Sequence, residues 1–328
     1  MFLPRRTLPL LALPALARGV FAPALARADD WPSRPLRMVV PFTPGGSTDI
    51  LGRVVAQRIG VTLGQQVVVE NRPGAGGSVG TELIARAAPD GYTIGVGHIG
   101  TLAVNPTLYP RLGYDPAKDL SAISLIAMVA NILAVSPRSV PATTMPEFLA
   151  FARAARQPLS FGSGGNGSAA HLAMAALSDA TGIAFSHIPY RGTAPMVTDM
   201  ISGQVDMTMS GGPALLPPVR AGQLRALGVS TRTRIEAAPD LPAIAETLPG
   251  FEAAQWYGVV GPAGLPESVV GRLNAAIRGA LTAPEVLARL RDEGADPAPG
   301  TPAAFAAFIQ VEMQRWGGLI RRAGLKAD

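Results

Sequence analysis

Three glycine-rich segments, each set between an apolar run and a stretch of helical spacing, constrain this chain more than any other feature. They are Pro41-Phe42-Thr43-Pro44-Gly45-Gly46-Ser47-Thr48-Asp49, Asn71-Arg72-Pro73-Gly74-Ala75-Gly76-Gly77-Ser78 and Phe161-Gly162-Ser163-Gly164-Gly165-Asn166-Gly167-Ser168. A strand that passes through glycine into a helix leaves backbone N–H groups exposed at the helix amino end, here beside Ser and Thr hydroxyls. Such a place holds an anion without Lys or Arg, because the aligned peptide dipoles and free N–H groups already supply positive potential.

Around these loops the pattern is β-α-β-α-β. Leu36–Val40 predicts a buried strand, Thr48 or Asp49 caps a helix to about Leu63, and Val67–Val69 predicts the next strand. Ser78–Ala88 follows as a helix and Tyr92–Gly97 as a strand, which argues for a parallel sheet with helices on its faces. Thr101–Asp119, with Pro106, Pro110 and Pro116, reads as irregular. Leu120–Pro137 carries no charge and is rich in β-branched residues. It reads as one long buried strand or two in succession, crossing between domains. The alternation then restarts with helices over 145–156, 169–181, 195–201 and 212–220 and strands over 159–161, 184–188, 205–209 and 224–229. Phe251–Gly261 reads as a second crossing, and helices are expected over 269–281, 284–293 and 302–323. The pattern therefore predicts two α/β lobes joined by two crossings, the outer lobe discontinuous in sequence.

The first 28 residues read as a secretory leader, with Arg5 and Arg6, the apolar stretch Leu8–Leu16 and the A-x-A site Ala26-Arg27-Ala28, cleaved after Ala28. The apolar stretch is too short and too broken by Pro9 and Pro14 to span a bilayer. The Arg pair also raises twin-arginine export, which Pro4 and Pro9 fit poorly. The chain has 28 Lys and Arg against 23 Asp and Glu, but Arg5, Arg6, Arg18 and Arg27 lie in the leader, which leaves 24 against 23. A near-neutral mature chain with few aromatic residues gives no argument for nucleic acid. The absence of cysteine excludes disulfides, thiolate metal sites and cysteine nucleophiles.

Several motifs admit other chemistry. Gly76-Gly77-Ser78-Val79-Gly80 matches a nucleophile elbow, and Asp179 and His187 would follow in triad order. An elbow must come directly after its strand, however, and Asn71-Arg72-Pro73-Gly74 intervenes. An exported serine hydrolase using Ser78 stays as the alternative. Gly162-Ser163-Gly164-Gly165-Asn166-Gly167 matches a dinucleotide loop, but the strand that should end in an acid gives Pro189-Tyr190-Arg191 instead. No phosphate-binding P-loop occurs, and His98, His171 and His187 are too scattered for a metal site. Arg191 offers a bidentate guanidinium for a carboxylate. Asp206, closing Gly203-Gln204-Val205-Asp206, is a candidate for reading a ligand amine or hydroxyl.

At these loops the chain resembles the Bug-type substrate-binding proteins of tripartite tricarboxylate transporters. The resemblance begins at Trp31-Pro32-Ser33-Arg34-Pro35 and runs through the first loop, Glu70–Gly77, Ala88-Pro89-Asp90-Gly91-Tyr92-Thr93 and the third loop with His171. Pro189-Tyr190-Arg191-Gly192, Gly203–Asp206 and Ala221–Leu227 complete it over essentially the whole mature chain. It departs at Arg191, where Lys is frequent, and at His98-Ile99-Gly100-Thr101, where small residues are usual. The resemblance implies a two-lobed periplasmic binding protein (Venus flytrap, type II-like), each lobe a sheet flanked by helices, with a leader over 1–28, one lobe over 29–130 plus 254–328 and the other over 131–253. It implies capture of a small organic carboxylate by backbone amides and hydroxyls, without catalysis, metal or cofactor. A monomer in the periplasm is expected, serving membrane subunits or, alternatively, presenting ligand to a sensor. The candidate site is Phe42, Thr43, Gly46, Thr48, Ala75, Gly76, Gly77 and Thr101 from one lobe. Ser163, Asn166, Gly167, Ser168, Tyr190, Arg191 and Asp206 come from the other.

Overall fold

In the computed structural model, residues 31–190 and 193–326 are described, and Pro32–Asp328 forms one compact unit built on two sheets. The leader and Arg191 lie outside the described residues. The first sheet has the order β11-β4-β10-β3-β1-β2, from strands β1 (Leu36–Val40), β2 (Val67–Asn71), β3 (Thr93–His98), β4 (Leu120–Val129), β10 (Gln255–Pro262) and β11 (Ala295–Pro297). The second has the order β7-β6-β8-β5-β9, from β5 (Asn131–Val135), β6 (Ser160–Ser163), β7 (Ser186–Pro189), β8 (Met207–Gly211) and β9 (Arg225–Val229).

Strand β1 runs parallel to β2 and β3, and β6 parallel to β7 and β8, as the β-α alternation requires. The crossing strands reverse this. β10 is antiparallel to β3 and β4, and β5 is antiparallel to β8 and β9, so both sheets are mixed. The uncharged run 120–137 is two strands: β4 ends at Val129 in one sheet and β5 begins at Asn131 in the other, with Ala130 between them. Both strands are largely buried, which explains the lack of charge.

The helices are α1 (Ser47–Leu63), α2 (Ser78–Ala85), α3 (Asn105–Leu108), α4 (Met145–Ala154), α5 (Ala169–Thr181), α6 (Thr193–Ser202), α7 (Gly212–Arg220), α8 (Glu267–Ala280), α9 (Pro284–Asp292) and α10 (Pro302–Ala323). The segment read as irregular differs from expectation: Gly100–Val104 forms a fully buried π-helical turn leading into α3. Its Thr101 carbonyl is fixed by the Tyr114 hydroxyl at 2.7 Å, a long-range tie that local sequence does not display. The cap of α1 also differs. Gly46 is the N-cap residue and Asp49 lies inside the first turn.

One helix binds the halves of the core together. α10 packs Phe305 and Trp316 inward, and its buried Glu312 accepts from both Trp256 Nε1 and Trp316 Nε1 at 2.8 Å. Arg315 donates to the same carboxylate at 2.9 Å, so the buried charge is paired. From α10, Arg322 also reaches Asp179 on α5 at 2.7 Å. No helix among the described residues is long and apolar enough to cross a membrane.

Candidate functional site

The parallel strands of both sheets end at one cleft of about 820 Å³. Its lining follows the carboxyl ends of β1 (Phe42, Thr43, Gly45–Thr48), β3 (His98), β6 (Gly164–Ser168), β7 (Tyr190) and β8 (Gly211). This is where open α/β sheets place ligands, because successive loops diverge there and leave backbone groups unpaired. Four helices of eight or more residues begin at the cleft wall: α1 behind Gly46, α5 behind Ser168, α6 at Thr193 and α7 behind Gly211.

The first loop is held by a buried carboxylate rather than by its own glycines. Asp49 accepts from Gly45 N at 3.0 Å, from Arg53 Nε at 2.9 Å and from Asn71 Nδ2 at 2.8 Å. Asn71 also donates to the Phe42 carbonyl at 3.0 Å, which ties the end of β2 to the loop after β1. Burial alone would raise the Asp49 pKa, but Arg53, the Gly45 amide and Asn71 outweigh it and hold the carboxyl below its usual range. Because Asp49 N and Ile50 N both donate to the Gly46 carbonyl, the amides of Ser47 and Thr48 are the first-turn N–H groups without an intrahelical acceptor.

The third loop is held by two histidines. His187 Nε2 lies 2.6 Å from Ser163 Oγ, and Ser163 Oγ in turn accepts from Gly165 N at 3.1 Å. His171 Nδ1 accepts from Gly167 N at 3.1 Å, and the two imidazoles stack with centroids 3.9 Å apart. Ser168 is the N-cap of α5, its Oγ accepting from His171 N at 3.4 Å. Tyr190 gives its ring to the cleft and its hydroxyl to Asp199 Oδ2 at 2.6 Å. Burial and that carboxylate push the phenol up to about 12.

An aromatic wall closes the far side. His98 sits between Phe42 and Tyr257, with ring centroids at 5.3 and 5.0 Å. Its Nδ1 accepts from Gly100 N at 3.0 Å, which leaves the proton on Nε2, facing Gln255 Oε1 at 3.4 Å. Burial lowers the His98 pKa to about 4, so the ring is neutral at ordinary pH. Burial raises the Tyr257 phenol beyond its normal range; its hydroxyl donates to Gln255 Oε1 at 3.0 Å. Among the described residues lining the cleft there is no Lys or Arg, and Glu293 is the single carboxylate.

Of the residues singled out from sequence, Phe42, Thr43, Gly46, Thr48, Gly76, Asn166, Gly167, Ser168 and Tyr190 line this cleft. Ala75, Gly77, Thr101, Ser163 and Asp206 do not. Thr101 Oγ1 bonds the His98 backbone at 3.1 Å, and Ser163 supports its loop from behind. Gly77 is buried against Thr101 and Phe42, and Ala75 precedes it in the left-handed region at φ 45°. Asp206 sits before β8, at the opposite end of the parallel strands, and accepts from Ser160 N at 2.7 Å and Ser160 Oγ at 2.8 Å. Arg191 lies outside the described residues. Among the described residues, Ser78, His187 and Asp179 do not form the triad of the hydrolase alternative. Ser78 Oγ accepts from Asn105 Nδ2 at 3.0 Å, while His187 bonds Ser163 and Asp179 bonds Arg322.

Sequence reading missed Tyr257, Gln255, Thr193, Ser210, Gly211 and Glu293 as lining residues. Ser210-Gly211-Gly212 has the same strand–glycine–helix pattern as the other loops and was legible by it. Glu293 carries no local signal, because only the packing of α9 brings it to Ser47.

This two-sheet, single-cleft architecture is that of the periplasmic binding proteins. The structure of the periplasmic binding protein BugD superposes with a TM-score of 0.77 at 33% identity, covering 91% of this chain and 100% of that one. Rpa4515 of R. palustris, solved with adipate, gives 0.80 at 36% identity, covering 90% of this chain and 99% of that one. Protein BugT of Bordetella pertussis (strain Tohama I) is 36% identical over 98% of both chains. Residues 51–325 match the model of the tripartite tricarboxylate transporter family receptor, and the chain belongs to that family.

Proposed function

We propose that this protein is a non-catalytic periplasmic binding protein that captures a small organic carboxylate in the cleft and delivers it to membrane subunits of a tripartite tricarboxylate transporter. The observation that carries this reading is the convergence of four helix amino ends on a cleft whose described lining holds no Lys or Arg. Unpaired first-turn amides and helix dipoles favour a carboxylate there, and the low dielectric of a closed cleft strengthens them. Rpa4515, a relative of the same architecture, was solved with adipate, a dicarboxylate.

The lobes of this reading are 29–130 with 254–328, and 131–253, and closure of one on the other encloses the ligand. Leu108 and Gly167 meet across the opening, since a Cβ on Gly167 would stand 2.5 Å from Leu108 Cδ2. The leader over 1–28 directs a monomer to the periplasm. The hydrogen bonds of Ser78 and His187 to other partners support binding without turnover.

A thermal-shift screen of mono-, di- and aromatic carboxylates tests the reading. A ligand at a hundredfold excess over its Kd adds about 2.7 kcal/mol to native stability, which raises Tm by several degrees. No shift with any carboxylate, or ester turnover lost on Ser78→Ala, would overturn it.

A further inference from the structure

Glu293 does not fit a site made only for carboxylates. It follows α9, is 7% exposed, and lines the cleft beside the amino end of α1. Its carboxylate accepts from Ser47 Oγ at 2.8 Å. Its neighbours in sequence do not neutralise it: Arg291 pairs with Glu236 at 3.2 Å and Arg289 with Asp292 at 3.6 Å. No cation among the described residues forms an ion pair with Glu293. One hydroxyl satisfies only part of the acceptor capacity of a carboxylate, and a buried charge without further partners is costly.

The cleft therefore has two electrostatic ends. The amino ends of α5, α6 and α7 favour a carboxylate, while Glu293, hydrogen-bonded to Ser47 in the first turn of α1, already occupies that helix end and favours a polar hydrogen. A ligand bearing carboxylates alone meets the first and is repelled by the second.

We infer that Glu293 selects the ligand: the cleft takes a carboxylate that also carries a hydrogen-bond donor, an ammonium or hydroxyl group, which donates to Glu293. Ser47 is the positioning residue that holds the Glu293 carboxylate toward the cleft. This rests on the reading of the cleft as a carboxylate site. A charge-assisted hydrogen bond of this kind discriminates by about tenfold or more against the analogue lacking the donor.

Calorimetry with matched probes tests it: succinate, malate and aspartate, with parallel sets built on propionate and adipate bearing no donor, a hydroxyl or an amino group, and on benzoate bearing no donor, a hydroxyl or an aminomethyl group. Within whichever set binds, wild type should favour a donor-bearing member by about tenfold or more. Glu293→Gln, nearly isosteric, should bring that preference close to parity at an unchanged unfolding midpoint. Ser47→Ala should reduce it partway, and supplies the test should Glu293→Gln fail to fold. A larger loss for amino than for hydroxyl members assigns the donor as ammonium; the reverse assigns hydroxyl. The inference is overturned if the donor-free member binds wild type as tightly, or if the preference survives in both variants. If no member of any set binds wild type, the carboxylate reading itself fails and takes the inference with it.

Discussion

Two glycines in the loops after β1 and β2 do opposite jobs, and single substitutions separate them. Gly46 has an ordinary φ of −85°, and an added Cβ would meet no atom of the protein within 4 Å. Its lack of a side chain serves whatever approaches the cleft. Gly77 has φ of +88°, and its Cβ would stand 2.6 Å from Thr101 Cγ2 and 3.0 Å from Phe42 Cζ. Gly46→Ala should leave urea unfolding within about 0.5 kcal/mol of wild type while weakening carboxylate binding several-fold. Gly77→Ala should lower stability by about 1–3 kcal/mol. A marked stability loss in Gly46→Ala would show that its bareness serves the backbone instead. Asp49 adds a pH signature. Its pKa is depressed on folding, so its stabilising contribution is present above the unfolded value and is lost as pH falls through the folded one. Denaturation of wild type and Asp49→Asn should therefore differ most near neutral pH and converge below about pH 4. A constant difference down to pH 2 would count against the network.

Among the elements, α5 shows how much the sequence carried. Its span, Ala169–Thr181, was legible because Ser168 caps one end, Gly182 in the left-handed region ends the other, and the apolar period between them is regular. The same grammar located α4 behind its Thr144 cap and α10 behind Thr301. It failed where tertiary contacts outvote local pattern. The π-helical turn at Gly100–Val104 depends on Tyr114, and Asp206, at the start of a parallel strand, lies at the end away from the cleft, where it holds Ser160 instead. The glycine loops were legible as a site, since each exposes amides by local geometry. Gln255, Tyr257 and Glu293 were not, since each reaches the cleft through pairing or packing with distant chain. Ser168 both caps α5 and lines the cleft, so Ser168→Ala should cost about 1 kcal/mol in denaturant unfolding. It should also weaken the binding of the best carboxylate from the thermal-shift screen, measured by calorimetry. Unchanged affinity would confine the residue to capping.

At the scale of the whole molecule, the cleft and the crossing between sheets share one chain of hydrogen bonds. Tyr257 and His98 in the cleft wall both point to Gln255 Oε1, and Gln255 Nε2 donates to Asn131 Oδ1 at 2.7 Å. Asn131 opens β5, just past the crossing, and is 1% exposed. Its Nδ2 donates to the Ala253 carbonyl at 2.7 Å on the returning chain, and its backbone N–H donates to Ser230 Oγ at 2.9 Å. Both passages between the sheets are thus fastened to one buried amide, which in turn fixes a side chain of the cleft. Asn131→Ala would leave the Ala253 carbonyl and one Gln255 amide without partners, each costing about 1–3 kcal/mol when buried. Stability to urea should fall by about 2–4 kcal/mol, and carboxylate affinity should fall with it because Gln255 loses its orientation. Gln255→Ala should weaken binding at least as much with a smaller loss of stability, since Asn131 keeps its bond to Ala253. The two variants together distinguish a coupled network from independent contacts: the double variant should lose less affinity than the sum of the single losses. Strict additivity in affinity would mean that the crossing and the cleft are merely adjacent.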